Sequence, residues 1–207
     1  MTEHECYNAL LAKKLLADFE HRGFEGYYCE TKDDALKKIL KIIPENAYVS
    51  YGGSATLYDI GIREALDNEK YHVLDPNAAI GGAEKDEIAH QALGAEYYLM
   101  SSNAITEQGE LVNADGYGNR VSALIFGPKN VIVVAGMNKI TPDLETAMLR
   151  VKKYASRMIL LKFDKGYQEF DALDNDAEKA ASQIVITSMS SVKGRIKVIL
   201  VGESLGF

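Results

Sequence analysis

Cysteine is scarce in this 207-residue chain, which contains only Cys6 and Cys29. Two thiols are too few for a disulfide scaffold, for iron–sulfur ligation or for a structural zinc site supplied by cysteine. Long apolar runs are also missing, since none reaches the roughly 18 to 20 residues that a membrane-spanning helix needs. The first five residues have neither the basic region nor the apolar region of a secretory signal. We therefore expect a cytoplasmic protein without a membrane segment.

Positive charge is in deficit as well, because the formal net charge is -7 at pH 7. A general nucleic-acid binder needs a basic face to neutralise phosphates, and no Lys/Arg cluster here is long enough to form one. His90 lies one helical turn from Asp86, but an ordinary surface pair explains this spacing better than a metal site does. The sequence thus predicts no nucleic-acid partner, no metal and no cofactor.

The first 45 residues predict two helices and no strand. Gly23 ends the first helix, and Thr31 caps the second, which runs to Ile43 before Pro44. The apolar positions of the first helix recur at helical spacing: Tyr7, Leu10, Leu11, Leu15 and Phe19. Residues 1–45 are therefore predicted to form a helical extension that either packs on the body of the protein or joins two subunits of a homodimer. Residues 46–207 are predicted to form the main domain.

From residue 47 onward, short apolar runs alternate with amphipathic helices, which is typical of a parallel sheet covered on both faces. A hairpin is expected between residues 103 and 115, and Thr141 is expected to cap a helix. The predicted strands are 48–51, 71–74, 96–101, 131–135, 158–163 and 195–201. The other predicted helices are 55–66, 85–93, 144–155 and 174–185.

A glycine turn follows the first predicted strand of the main domain, with Gly52, Gly53, Ser54 and Thr56 in sequence order. Paired glycines let backbone N–H groups approach an anion, and the two hydroxyl groups add donors near the start of the next helix. The turn has neither the Walker A pattern nor the full dinucleotide pattern. It either binds a ligand at the carboxyl edge of the sheet or is simply a tight turn with Ser54 as the N-cap.

A second glycine turn runs from Asp115 to Arg120, with Asn119 as the expected cap of a short helix. Arg120 opposes the dipole of that helix, so it either pairs with Asp115 or Glu107 or binds a carboxylate or phosphate of a ligand. Glu107 beside the turn at Gly109 is a candidate base or nucleophile, although most turn glutamates are simply solvated.

Further polar residues near these turns complete a predicted ligand site. Lys139 follows a buried strand and either contacts an anion or is solvated, while Asn138 either joins the site or shapes the next loop. With Glu107 and Arg120 as catalytic candidates, the predicted ligand-binding residues are Gly52, Gly53, Ser54, Thr56, Asn103, Thr106, Asn113, Asp115, Gly118, Asn119, Asn138 and Lys139.

The run from Asn103 to Ile140, the turn at Gly52 to Ser54 and the C-terminal segment from Lys193 to Phe207 resemble the LUD (lactate-utilisation) domain family. The resemblance implies a Rossmann-like three-layer α/β domain with a mostly parallel sheet. That fold is similar to ribose-phosphate isomerases, glucosamine-phosphate deaminases, CoA transferases and formyltetrahydrofolate cyclo-ligases. It also implies a link to lactate utilisation, because some members act in bacterial lactate oxidation beside iron–sulfur and oxidoreductase proteins.

One feature departs from the family pattern. Relatives that share the central motif often carry a cysteine cluster before the Gly-Arg-Ile-Lys-Val segment, whereas residues 162–193 contain no cysteine here. This difference favours a small-molecule site over an electron carrier. The leading hypothesis is a protein that binds an anionic metabolite and, if it is an enzyme, transfers a proton or an acyl group with Glu107 and Arg120. The alternative is a non-catalytic accessory or regulatory subunit that acts through protein contacts.

Overall fold

A computed structural model describes residues 2–76 and 78–207 as ten strands and nine α-helices. The strands are β1 (Glu25–Cys29), β2 (Tyr48–Tyr51), β3 (His72–Leu74), β4 (Tyr97–Met100), β5 (Ala104–Thr106), β6 (Leu111–Asp115), β7 (Asn130–Gly136), β8 (Ile140–Thr141), β9 (Gln183–Thr187) and β10 (Ile196–Val201). The helices are α1 (Glu3–His21), α2 (Lys32–Ile42), α3 (Ala55–Asp59), α4 (Ile62–Leu66), α5 (Gly82–Ala92), α6 (Asn119–Ile125), α7 (Leu144–Arg150), α8 (Ser156–Phe163) and α9 (Phe170–Ala180).

The main sheet contains six parallel strands in the order β1-β10-β7-β4-β2-β3. Its central strand β7 is apolar without alternation because both faces are covered. Val131 and Val133 pack with α1, α5 and α6 on one face, and Ile132 and Val134 pack with α2, α3 and α4 on the other. This arrangement confirms the predicted three-layer Rossmann-like α/β fold.

A second sheet has the strand order β8-β5-β6-β9. Strands β5 and β6 form the predicted antiparallel hairpin, and β9 pairs with β6 in antiparallel register. A small apolar cluster lies between this sheet and α7, with Ala104, Val112, Ala114, Ala147 and Val151 buried in it. This cluster therefore holds the second sheet against α7.

The N-terminal segment contains a strand that the sequence did not predict. Strand β1 lies between α1 and α2 and pairs in parallel with β10 at the edge of the main sheet. Its five residues carry no clear alternation of apolar and polar side chains, so the pattern missed it. Helix α1 also contributes to the core, where Leu15 and Phe19 are fully buried. The boundary at residue 45 stays a prediction.

Two other predictions of local structure were wrong. Residues 158–163 were expected to form a strand but belong to α8, which continues from α7 through a π-helical turn at Val151–Ala155. The periodicity of a short apolar run does not distinguish a buried strand from a buried segment of helix. The helix expected at 55–66 is divided into α3 and α4 at Gly61, whose φ is 69°.

Capping also differs from the prediction before α7. Thr141 lies in β8, and the N-cap of α7 is Asp143, whose side chain accepts a hydrogen bond from the backbone N–H of Thr146. The last helix and strand are shifted as well, since α9 ends at Ala180 and β9 follows it. Across residues 2–76 and 78–207, no helix is long and apolar enough to cross a membrane.

Candidate functional site

A cavity of about 300 Å³ lies at the carboxyl end of the main sheet, beside the loops that follow β2, β4 and β7. Open α/β sheets place their ligand sites at this edge. Both glycine turns reach this cavity, with Gly53 and Ser54 on one side and Asp115 and Gly116 on the other. Its other lining residues are Ala55, Ser101, Ser102, Asn103, Ala114, Arg120, Lys139, Ala155, Ser156, Ile159, Leu160, Phe163, Ala180 and Phe207.

Arg120 is the centre of the hydrogen-bond network at the second turn. Its Nη1 donates to the carbonyl of Ser101 at 3.0 Å and to Oδ1 of Asn113 at 2.8 Å. Its Nη2 donates to Oδ1 of Asn103 at 2.8 Å and to the carbonyl of Ala114. Burial lowers the pKa of Arg120 from its ordinary value, but a guanidinium group remains protonated. Arg120 thus binds four protein oxygens from β6 and from the loop after β4, rather than the carboxylates of Asp115 or Glu107.

Asp115 caps the turn that precedes α6. Its Oδ1 accepts a hydrogen bond from the backbone N–H of Tyr117, and its Oδ2 accepts from those of Arg120 and Val121. The expected cap, Asn119, is instead the first residue of α6, and Gly118 precedes it with a φ of 95°. Asp115 therefore neutralises the start of the helix and fixes the backbone that carries Arg120.

Gly52 packs closely against the side chain of Arg120. A Cβ atom at Gly52 would come within 3.0 Å of Cδ of Arg120 and 3.1 Å of the hydroxyl oxygen of Tyr98. Gly53, by contrast, has no atom within 4 Å of its Cβ position and borders the cavity. The two glycines therefore have different roles, since Gly52 permits close packing and Gly53 leaves space.

This difference can be tested by two matched substitutions. Gly52→Ala is expected to lower the free energy of unfolding by about 1 to 2 kcal/mol, because the four hydrogen bonds of Arg120 prevent its Cδ from moving away. Gly53→Ala should change it by about 0.5 kcal/mol or less. Urea denaturation of both variants measures the difference. Equal losses in the two variants would contradict the packing role of Gly52.

Lys139 is a buried lysine on the cavity wall. It lies in a 3₁₀ turn after β7, and its exposed fraction is 3%. Its Nζ donates to Oγ1 of Thr56 and to Oγ of Ser101, both at 2.9 Å. Among the described residues no carboxylate lies within salt-bridge distance of Nζ. The alternative in which Lys139 is solvated was therefore wrong.

The surroundings of Lys139 disfavour its charged form. Burial is the main cause, and the positive charges of Arg150 and Arg120 add to it, so that the pKa of Lys139 falls to about 7. Asp59 opposes this shift. A lysine with this pKa is present in comparable amounts as an amine and as an ammonium at neutral pH, which suits nucleophilic or proton-transfer chemistry.

The remaining wall of the cavity is apolar. Helix α8 contributes Ile159, Leu160 and Phe163, and Phe207 also lines the cavity. Phe163 is 79% exposed, so it lies at the mouth of the cavity rather than in its depth. The cavity therefore has one cationic and hydrogen-bonding side and one hydrocarbon side.

Several predicted site residues lie outside the cavity lining. Glu107 is at the turn between β5 and β6, where its carbonyl accepts a hydrogen bond from Lys14 of α1 and its N–H donates to the carbonyl of Thr141. Thr106 is fully buried and bonds to Glu110 in the same turn. The catalytic role of Glu107 stays a prediction that no contact with the cavity supports.

Other predicted residues support the site without lining it. Asn113 is fully buried and holds Arg120, while Thr56 holds Lys139. Asn138 accepts a hydrogen bond from the backbone N–H of Leu205 and thereby fixes the C-terminal segment. Gly118 and Asn119 line a separate shallow depression near His90.

The sequence missed some lining residues. Ser101 and Ser102 follow β4 at the same sheet edge as the two turns, so the position of the strand could have indicated them. Ile159, Leu160 and Phe163 were hidden by the wrong strand prediction for α8. Within residues 2–76 and 78–207, no three His, Cys, Asp or Glu side chains are grouped so that they could hold a metal ion.

Comparisons with known proteins identify the fold family. A profile of the LUD domain matches residues 12–201. The chain is similar in structure to a DUF162 family protein from Deinococcus radiodurans, with a TM-score of 0.55 and 13% sequence identity over 98% of this chain and 99% of that one. At this identity the similarity concerns the fold alone. A search of curated proteins gave no match.

Proposed function

We propose that this chain, which belongs to the LUD domain family, binds a small anionic metabolite in the cavity between its two glycine turns. The observation that carries this proposal is the environment of Lys139. Nζ is buried at the cavity wall and its partners are two hydroxyl groups, not a carboxylate. Because a buried ammonium without a counter-ion is unfavourable, an anionic ligand would supply the missing charge.

The charged residues around the cavity also favour an anionic ligand. Lys139 and Arg120 line it, and Arg150 lies close enough to lower the pKa of Lys139. Asp115 supplies the side-chain carboxylate among the described lining residues, and it already accepts three backbone hydrogen bonds. The local field is therefore positive although the whole chain carries a net charge of -7.

Hydrogen-bond donors without protein partners border the same space. In the described part of the chain, the backbone N–H groups of Gly53 and Ser54 donate to no other residue, nor does the side-chain amide of Asn103. A carboxylate or phosphate would accept from such groups. A volume of about 300 Å³ is at the lower end for ligand sites, which favours a short hydroxy or oxo acid over a dinucleotide.

A ligand screen by thermal unfolding tests the proposal. We expect lactate, pyruvate or inorganic phosphate to raise the melting temperature, while lactamide, the uncharged analogue of lactate, has no effect. A ligand at 100 times its Kd adds about 2.7 kcal/mol, or about 5 to 10 °C for a chain of this size. Lys139→Met should abolish the rise, and Lys13→Met, which removes an exposed lysine of α1, should retain it.

Two outcomes would contradict this site. One is equal stabilisation by lactate and lactamide, which would exclude recognition of charge. The other is an unchanged response in Lys139→Met. If no anion stabilises the wild-type protein, the second candidate is an accessory role through protein contacts. An exposed apolar surface at the end of α6 favours that candidate, because Phe126 is 91% exposed there and lies beside Ile125, Met189 and Val192.

A further inference from the structure

We propose that Lys139 forms an imine with the carbonyl carbon of a short oxo acid held in this cavity. This inference rests on the proposed anion site and adds a covalent step to it. Lysine forms such adducts with carbonyl substrates when its amine is desolvated and lacks a carboxylate partner. Both conditions hold for Nζ of Lys139.

The two hydrogen bonds of Nζ leave one position of its tetrahedral arrangement for a lone pair. The hydroxyl of Thr56 donates its proton to the carbonyl of Leu205, and the hydroxyl of Ser101 donates to that of Ser102. Both hydroxyl oxygens therefore act as acceptors toward Nζ. A neutral amine uses its two N–H groups for these bonds and retains a lone pair in the remaining tetrahedral direction. Lys139, whose Nζ carries this lone pair, is one of the residues that line the cavity.

The positive surroundings keep part of the lysine population neutral. Arg150 and Arg120 act with burial to bring its pKa to about 7, so the nucleophilic form is abundant under physiological conditions. A salt bridge would remove this form, because a nearby carboxylate raises the pKa of a lysine. The negative charge of Asp59 opposes the shift only in part.

The chemistry of the cavity selects the class of carbonyl compound. The unpaired donors of Gly53, Ser54 and Asn103 suit a carboxylate, and the α8 side chains Ile159 and Leu160 suit a short hydrocarbon tail. A carbonyl group between these two parts defines a short 2-oxo acid. Such a compound is also small enough for the cavity volume of about 300 Å³.

The proposed step is a condensation without oxidation or reduction. The amine lone pair forms a bond to the carbonyl carbon, and a proton passes from nitrogen to the carbonyl oxygen to give a carbinolamine. Loss of the hydroxyl group with a second proton from nitrogen then releases one water molecule and leaves the C=N bond. All atoms of the amine and the oxo acid are accounted for in the imine and the water.

Reductive trapping tests the inference on the full chain. Wild-type protein is incubated at neutral pH with glyoxylate, pyruvate or 2-oxobutanoate and sodium cyanoborohydride, and the products are analysed by intact-mass spectrometry and peptide mapping. We expect a single reduced adduct on Lys139, formed on the order of a hundredfold faster than on an exposed lysine, because an ordinary lysine is almost fully protonated at this pH. Lys13→Met should behave like the wild type.

The failure of this inference can be separated from the failure of the anion site. Lys139→Arg cannot form an imine, so it should give no adduct at residue 139. Lactate binding to the wild type without an adduct from any oxo acid would overturn the imine and leave the anion site intact. Adducts distributed over exposed lysines at equal rates would overturn it as well. If lactate does not stabilise the protein and no adduct forms, both proposals are overturned.

Discussion

Replacement of Arg120 by alanine is expected to lower the free energy of unfolding by about 4 kcal/mol. The guanidinium group binds the carbonyls of Ser101 and Ala114 and the side-chain oxygens of Asn103 and Asn113. Its removal leaves acceptors without partners in a region where Asn113 is fully buried. Urea denaturation followed by circular dichroism measures the loss.

The control for this substitution is Arg63→Ala. Arg63 has a side chain that is 41% exposed, and its Nη2 lies 2.7 Å from Oδ2 of Asp75. Asp75 keeps a hydrogen bond from the hydroxyl of Tyr51 after the change, so we expect a loss of only about 1 kcal/mol. A similar loss in the two variants would contradict the role of Arg120 as the organiser of the second turn. Arg120→Lys should remain well below wild-type stability, because an ammonium group cannot reach all four acceptors.

The location of the candidate cavity follows in part from the topology of the sheet. Parallel strands place their carboxyl ends at one edge, so the turn that follows β2 was expected to border a site at that edge. The turn after β6 reaches the same edge although β6 pairs only with antiparallel neighbours in the second sheet. Gly53 and Asp115 indeed line one cavity. The resemblance to a known family also gave the correct fold, which the profile match over residues 12–201 supports.

The burial and the contacts of individual side chains could not be predicted from the topology. Lys139 is buried because it contacts Thr56 and Ser101, which are 83 and 38 residues away in the chain. No local pattern indicates contacts over such separations. Glu107 shows the opposite case, since it lies near the motif in sequence but belongs to the far turn of the β5–β6 hairpin.

The missed elements have a related cause. Strand β1 is short and lies at the edge of the sheet, where β10 holds it by backbone hydrogen bonds that do not require a particular side-chain pattern. Helix α8 has an apolar run in a sequence compatible with either element, and its helical form follows from its continuity with α7. Tertiary contacts decided both cases, as they often do for short segments.

The pH dependence of stability provides the second large effect. Lys139 has a pKa of about 7 in the folded protein, compared with about 10.5 for an ordinary lysine. Between these values Lys139 is more protonated in the unfolded chain than in the folded chain, so its contribution to the free energy of unfolding rises with pH. Below the folded pKa both states are protonated and the buried charge destabilises the folded state in full. The contribution from this one group should increase by about 3.5 kcal/mol between pH 7 and pH 10.

Lys139→Met removes the titrating group, so this contribution should disappear from its pH profile. The stability of the methionine variant relative to the wild type is expected to be greatest at pH 7 and below, and to decrease steadily as the pH rises toward 10. Burial also raises the pKa of Tyr98, which lowers stability above pH 10, but this effect is common to both proteins and cancels in the difference. Urea denaturation at successive pH values gives the comparison, with Lys13→Met as the control that should follow the wild type.

Parallel profiles for wild type and Lys139→Met would mean that Lys139 keeps its proton in the folded state up to its ordinary pKa. The amine needed for an imine would then be absent at neutral pH, whereas the positive charge needed to bind an anion would remain.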